Sequence, residues 1–383
     1  MWWGAVTRQP MLPARFRAPT SASPRFTRLG HFLTREDPLA DAVIDELVPL
    51  ERAAQEALIA RMLSARPGAL PRSLQTMHDW LRAEPFWFDA PRAQAGGEVL
   101  LRNGLLAGFV LGFKSLVVGY CSPGGNKPLA FSGRLTSDVN RRLAETARFV
   151  EAVSLPGGTQ FSSPGFIATV RVRLIHARIR HALRGSPRWK AAEWGAPINQ
   201  YDMAATVLLF SSVLIAGLRD LGVNVSAEDE AANLHLWRAI GRLMGVDEEL
   251  LATSPAEADA LWSAIEATDG DPDADSRRLT HALILEGADR GTAPPAAIDF
   301  GYALCRHLIG ARRADLLELP HSAWDLAPGV MKRLIRGVDS MTRYVPGARD
   351  GALRLGAGYW RRTVELTFGK REVPFELPNA PTP

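Results

Sequence analysis

Residues 166–184 read Phe-Ile-Ala-Thr-Val-Arg-Val-Arg-Leu-Ile-His-Ala-Arg-Ile-Arg-His-Ala-Leu-Arg, and their spacing fits a helix. Val172, Ile175, His176, Ile179 and Leu183 recur at intervals of three and four, so they share one apolar face. Arg171, Arg178 and His181 project elsewhere. His176 is therefore aimed at the interior. A buried imidazole nitrogen without a partner costs about 1–3 kcal/mol, so the position has two readings. One is a core histidine bonded to a carbonyl oxygen; the other is a neutral imidazole facing an apolar slot, as an axial ligand to haem iron does. The residues alone leave both open.

The remaining pattern is helical throughout. Asp37 or Asp41 can cap a helix running to about Ala65, with Ala42, Ile44, Leu47, Val48, Leu58 and Met62 as its stripe, Pro49 as a kink, and Pro67-Gly68 as its stop. A second helix spans about 137–153 and gathers Arg142, Glu145, Thr146, Phe149 and Val153 on one face, where Arg142 and Glu145 can form an ion pair. Asn199 and Asp202 suit the start of an apolar helix over 203–219. Ser226 opens another in a capping-box arrangement, which carries His235, Leu236, Trp237 and Ile240. Further helices are expected over 273–290, 294–309 and 328–343. With no period-2 runs, internal repeat or glycine-rich phosphate loop, the class is all-α: a single large helical domain around buried central helices.

Composition excludes several roles. A net charge of +4, with arginines not interleaved with aromatics, gives no case for nucleic acid. Two cysteines, Cys121 and Cys305, make neither a disulfide framework nor a metal cluster. The apolar run 97–121 has only 11 uncharged residues between Arg102 and Lys114, short of the roughly 20 that a membrane span needs. That run and 203–218 are expected to be buried helices, leaving no integral membrane segment and a cytoplasmic location. The stretch 269–275 resembles a calcium loop in composition only: counted from Asp271, Ser276 stands at the glycine position and Ala282 at the glutamate position, so an acidic surface loop is expected. Residues 1–36 form a basic arm with six arginines and no acid before Glu36, led by Trp2 and Trp3. The arm is either poorly ordered or surface-wrapping, or it anchors weakly to anionic membrane. Residues 37–345 are expected to form the main domain, and 346–383 a C-terminal extension.

Four segments together resemble the rubber oxygenase (latex-clearing protein) and MpaB-like oxygenase family: Thr136-Ser-Asp-Val-Asn-Arg-Arg-Leu-Ala-Glu-Thr146, Val170-Arg-Val-Arg-Leu-Ile-His-Ala-Arg-Ile-Arg180, Trp194-Gly-Ala-Pro-Ile-Asn-Gln-Tyr-Asp202 and Leu236-Trp-Arg-Ala-Ile-Gly-Arg-Leu-Met-Gly-Val246. Asp37-Pro-Leu-Ala-Asp-Ala-Val43 is similar to the family's opening, and the likeness covers roughly 37–345 in order. It implies a haem b pocket in a globin-like helical core, with His176 as the proximal iron ligand. It also places Arg142, Glu145 and Thr146 over the open face of the haem, with Phe149 beside them. Glu145 stands where the family has lysine, and is the expected proton handler. Asn126 takes the place of the family's catalytic glutamate, in the loop Gly-Gly-Asn-Lys. Both departures bear on rubber cleavage itself. The implied activity is a haem-dependent oxygenase using dioxygen on an apolar alkene such as an isoprenoid. The alternatives are a haem carrier or sensor without turnover, or a helical protein without the cofactor. The resemblance leaves the oligomeric state and the sixth iron ligand open.

Overall fold

The computed structural model describes residues 12–17, 24–131, 139–287, 294–342 and 344–368, and every regular element among them is helical. Trp2, Trp3 and the start of the Thr136–Thr146 segment lie outside the described residues.

The helices begin where polar caps dictate. Asp37 accepts from Ala40 N to open Pro38–Leu47, and the chain breaks around Pro49 before resuming as Arg52–Met62. Asp89 accepts from Arg92 N at the head of Ala90–Val110. Ser163 caps Pro164–Arg184, Asn199 caps Gln200–Phe210, and Ser226 caps Ala227–Leu243. In each case a side-chain oxygen takes a first-turn N–H that the helix cannot satisfy.

The Ala90–Val110 helix is the axis of the molecule. It packs against Ala227–Leu243, Val139–Ser154, Ser212–Asp220 and Ala348–Phe368. A wider π turn at Leu111–Leu116 carries it on to Tyr120. Gly104 bends it at φ 34°, and a Cβ there would stand 2.8 Å from the Cα of Gly356. A Cβ on Gly356 would in turn meet the Leu101 carbonyl oxygen at 1.7 Å. Only glycine lets these two backbones touch. The Ala348–Phe368 helix thus seals the central core, contributing the buried Trp360.

The two segments among the described residues that are long and apolar enough to cross a membrane, Ala90–Tyr120 and Gln200–Asp220, both run through this packed centre. The all-round burial expected for 97–121 is not met, because Leu105 is 48% exposed. Nor is 203–219 one helix: it breaks at Ser211, whose hydroxyl donates back to the Val207 carbonyl at 2.9 Å.

The described part of the arm does not merely wrap the surface. Arg15 is buried, donating to Asp202 at 2.7 Å and to Ser122 Oγ at 3.2 Å. The acidic stretch is likewise not a plain surface loop. Asp273 and Asp275 both hold the Lys127 ammonium, and burial pushes the Asp269 carboxyl up to about 6 despite nearby Arg15.

Candidate functional site

The Pro164–Arg184 helix is fixed by two arginines that the sequence reading passed over. Arg173 donates Nε and Nη2 to Asp37 at 2.6 and 2.8 Å. Arg180 donates Nε to Asp41 at 2.7 Å and Nη1 to the Ile198 carbonyl at 3.0 Å. Both arginines are almost wholly buried. They stand two turns apart on the face that also carries Phe166, Val170 and Ala177, and their acceptors lie one turn apart at the head of Pro38–Leu47. The signal was present in the sequence: arginines seven residues apart on an apolar face need carboxylate partners. His176 lies between them, less than a turn after Arg173 and about a turn before Arg180.

His176 differs from the other enclosed histidines. His78 Nδ1 lies 2.7 Å from the Met62 carbonyl oxygen. His235 Nε2 accepts from Asp89 N at 3.0 Å. His281 is engaged at both nitrogens, by the Tyr302 hydroxyl at 2.9 Å and the Leu317 carbonyl at 3.2 Å. His176 Nδ1 is shut off from solvent and has no hydrogen-bond partner among the described residues. Burial, reinforced by the Arg180 charge and opposed by Asp37, pulls its pKa down to about 4. The ring is therefore neutral near pH 7, with a lone pair available. Val172, one turn earlier on the same face, packs against the core cluster that includes Phe149 and Trp237. A neutral imidazole with an orphaned Nδ1, on a helix fixed by two ion pairs, fits a metal-donor role, and no carbonyl bonds that nitrogen among the described residues.

The shift has a measurable consequence. Between pH 6.5 and about 4 the unfolded chain binds a proton at His176 that the folded protein refuses, so this group lowers stability as pH falls, by about 3 kcal/mol over the whole window. Asp269 acts in the opposite sense. Its stabilising effect is complete below its unfolded pKa of 3.8 and is lost as pH rises through about 6. Relative to wild type, His176→Phe should gain more stability at pH 5 than at pH 7, and Asp269→Asn more at pH 7 than at pH 5. Urea midpoints of hemin-free protein check both signs.

The neighbouring Val139–Ser154 helix brings Arg142 and Thr146 together, but not Glu145. Arg142 and Thr146 line a cavity of about 90 Å³ with Leu116, Tyr120, Leu129, Val139, Leu143, Leu279 and Leu283. The Arg142 guanidinium hydrogen-bonds the Tyr120 phenol, whose pKa burial pushes up and Arg142 restrains. Tyr120 was not foreseen, because only the fold brings the end of the central helix opposite Arg142. The Thr146 hydroxyl donates to the Arg142 carbonyl at 2.9 Å, which leaves its lone pairs to accept. Glu145 instead pairs with Arg141, Nε to Oε1 at 3.0 Å, and keeps 38% of its side chain exposed. This corrects the expected Arg142–Glu145 pair: an i,i+4 contact on the outer face replaces an i,i+3 contact on the inner one. Phe149 is buried, edge-on to Trp237 at 6.3 Å between ring centroids.

Asn126 is a fastener. Its amide nitrogen lies 3.2 Å from the Tyr120 carbonyl oxygen, 3.1 Å from Asp273 and 3.0 Å from Ser276 Oγ, tying the Gly-Gly-Asn-Lys loop to the head of Ala274–Gly287. A roomier cavity of about 450 Å³ has Lys114, Asp220, Glu266, His307 and Arg313 in its lining, and His176 is not part of it. Within that lining Lys114 pairs with Asp220 and Arg313 with Glu266.

The sequence model of the family described as "ER-bound oxygenase mpaB/B'/Rubber oxygenase, catalytic domain" matches residues 101–340. The chain belongs to this family. It is 28% identical over 323 residues to a rubber oxygenase of Streptomyces sp. (strain K30), covering 78% of this chain and 75% of that protein. Its fold matches a solved structure of latex clearing protein LCP in the closed state, with a TM-score of 0.71 at 22% identity, over 97% of this chain and 100% of that one. The all-α fold read from the sequence thus holds, as does the family resemblance. His176, Arg142 and Thr146 all lie within the matched oxygenase domain.

Proposed function

We propose that this member of the oxygenase family is a haem b-dependent enzyme that uses dioxygen on an apolar alkene of the polyisoprenoid class. The observation that carries the reading is His176, a neutral imidazole whose solvent-shielded Nδ1 has no partner among the described residues, where His78, His235 and His281 are bonded. His176 would hold the iron. A haem bound there supplies dioxygen activation for addition to a carbon–carbon double bond, ending in carbonyl fragments.

The chain's own residues supply orientation, charge and protons. Arg173 and Arg180 hold the histidine helix against Pro38–Leu47 and so fix the direction of the imidazole. Arg142 presents a fixed positive charge at its cavity, suited to stabilising negative charge as it develops. Tyr120, hydrogen-bonded by Arg142, is a proton-bearing group in that lining, a role the outward Glu145 and the fastened Asn126 do not fill. The surrounding Leu116, Leu129, Leu143, Leu279 and Leu283 favour an apolar substrate and exclude water.

The test is oxygen uptake by hemin-loaded protein given squalene or short cis-polyisoprene, with carbonyl products read by mass spectrometry. Wild type should consume oxygen in step with alkene cleavage. Arg142→Leu should keep its haem absorption but lose about a hundredfold in rate. Haem absorption without uptake on either alkene would instead identify a carrier or sensor.

A further inference from the structure

We infer that the Ala327–Thr342 helix seats this protein on an anionic lipid surface, lying flat with its outer ridge among the acyl chains. Along that helix and its flanks five large apolar side chains are exposed: Leu326 at 81%, Val330 at 53%, Leu334 at 66%, Val338 at 60% and Met341 at 74%. Spaced by three and four, they form one unbroken stripe. Met331 and Ile335, on the adjoining face, pack into the central core, so the helix is docked and its orientation fixed. Helices of soluble domains bury such a stripe; a contiguous exposed one marks a contact with something apolar.

Charge selects the occupant. Arg333 and Arg336 flank the stripe and are exposed. Asp339, the helix's sole acid, lies on the far side from the stripe, half-buried, where its carboxylate accepts from Asn224 N at 3.3 Å. The outward surface therefore combines apolar and cationic groups with no carboxylate, the pattern of a helix lying in an anionic membrane interface. A protruding ridge suits a bilayer, which needs no complementary groove. Sixteen residues give the helix a length of about 24 Å, enough for several turns of contact.

The seat does not depend on the haem reading, and hemin-free protein should show it equally. The full chain is floated with vesicles of phosphatidylglycerol and phosphatidylcholine, and with phosphatidylcholine alone. Wild type should rise with the anionic vesicles and much less with the neutral ones. Arg333→Gln with Arg336→Gln should weaken binding about 25-fold, roughly fivefold for each arginine, and leave it insensitive to salt. Leu334→Glu with Met341→Glu should weaken it at least about tenfold. Trp2→Ala with Trp3→Ala should leave it intact, which separates this helix from the basic arm. Cys121 and Cys305 are buried, so Leu334→Cys can be labelled selectively with an environment-sensitive dye, whose emission should shift to the blue on anionic vesicles. Wild type that stays unbound, or helix variants that bind as well as wild type, would overturn the inference. A dimer by light scattering that Leu334→Glu with Met341→Glu dissociates would overturn it in favour of a second copy.

Discussion

Replacing Arg180 with leucine should lower the unfolding free energy by about 3–5 kcal/mol, because the change strips the buried Asp41 of its buried cation. The size follows from the geometry. Arg180 and Asp41 expose only 2% and 8% of their side chains, so neither charge is relieved by water once its partner is gone. Arg184 also contacts Asp41 and softens that loss. Asp41→Leu should cost as much or more, because it leaves the guanidinium with the Ile198 carbonyl alone. The double variant should cost far less than the sum, since it removes both charges together and fills the space with apolar groups. Urea unfolding of the four proteins measures the coupling. Additive costs would mean that the two side chains do not form a clamp. The same substitution should reach the neighbouring imidazole: without the Arg180 charge, the His176 pKa rises from its depressed value.

Much of this architecture can be read from the chain, and the boundary of what can be read has a physical cause. Periodicity places the histidine helix at 166–184, against an observed Pro164–Arg184. It also finds Ala274–Gly287, Pro295–Ile309 and Ala327–Thr342 to within a few residues at each end. Caps such as Asn199 and Ser226 act locally and are visible as such. What escapes is pairing between distant segments. Nothing near Arg173 indicates that its partner is Asp37, and nothing near Arg15 indicates that it is buried beside Asp202. The choice between Arg141 and Arg142 as the partner of Glu145 also depends on which face turns toward the core. Only the packed structure decides that. The Ala348–Phe368 helix was passed over because its docking relies on glycines 104 and 356, where the signal is a missing side chain.

For the site itself, the resemblance nominated His176, and the fold supplies an independent physical reason for it. A histidine placed to complete the core would have a carbonyl or hydroxyl within reach, as His78 and His281 do. The chain instead invests two buried arginine–carboxylate clamps in the same helix and leaves the imidazole Nδ1 between them unbonded. Substituting that ring should remove iron ligation with little harm to the fold, because no protein hydrogen bond to Nδ1 is broken. His176→Ala should therefore unfold at nearly the wild-type urea concentration at neutral pH, while Arg180→Leu unfolds much earlier.

The most direct measurement is a titration of purified wild-type protein and His176→Ala with hemin, followed in the Soret region. Wild type should bind one equivalent and give a sharp band with the spectrum of an imidazole-ligated haem. His176→Ala should lose that band, or shift it and weaken affinity by at least about tenfold, and added free imidazole should partly restore the wild-type spectrum. Identical titrations for the two proteins, or no band in either, would contradict the assignment of His176 as the iron ligand.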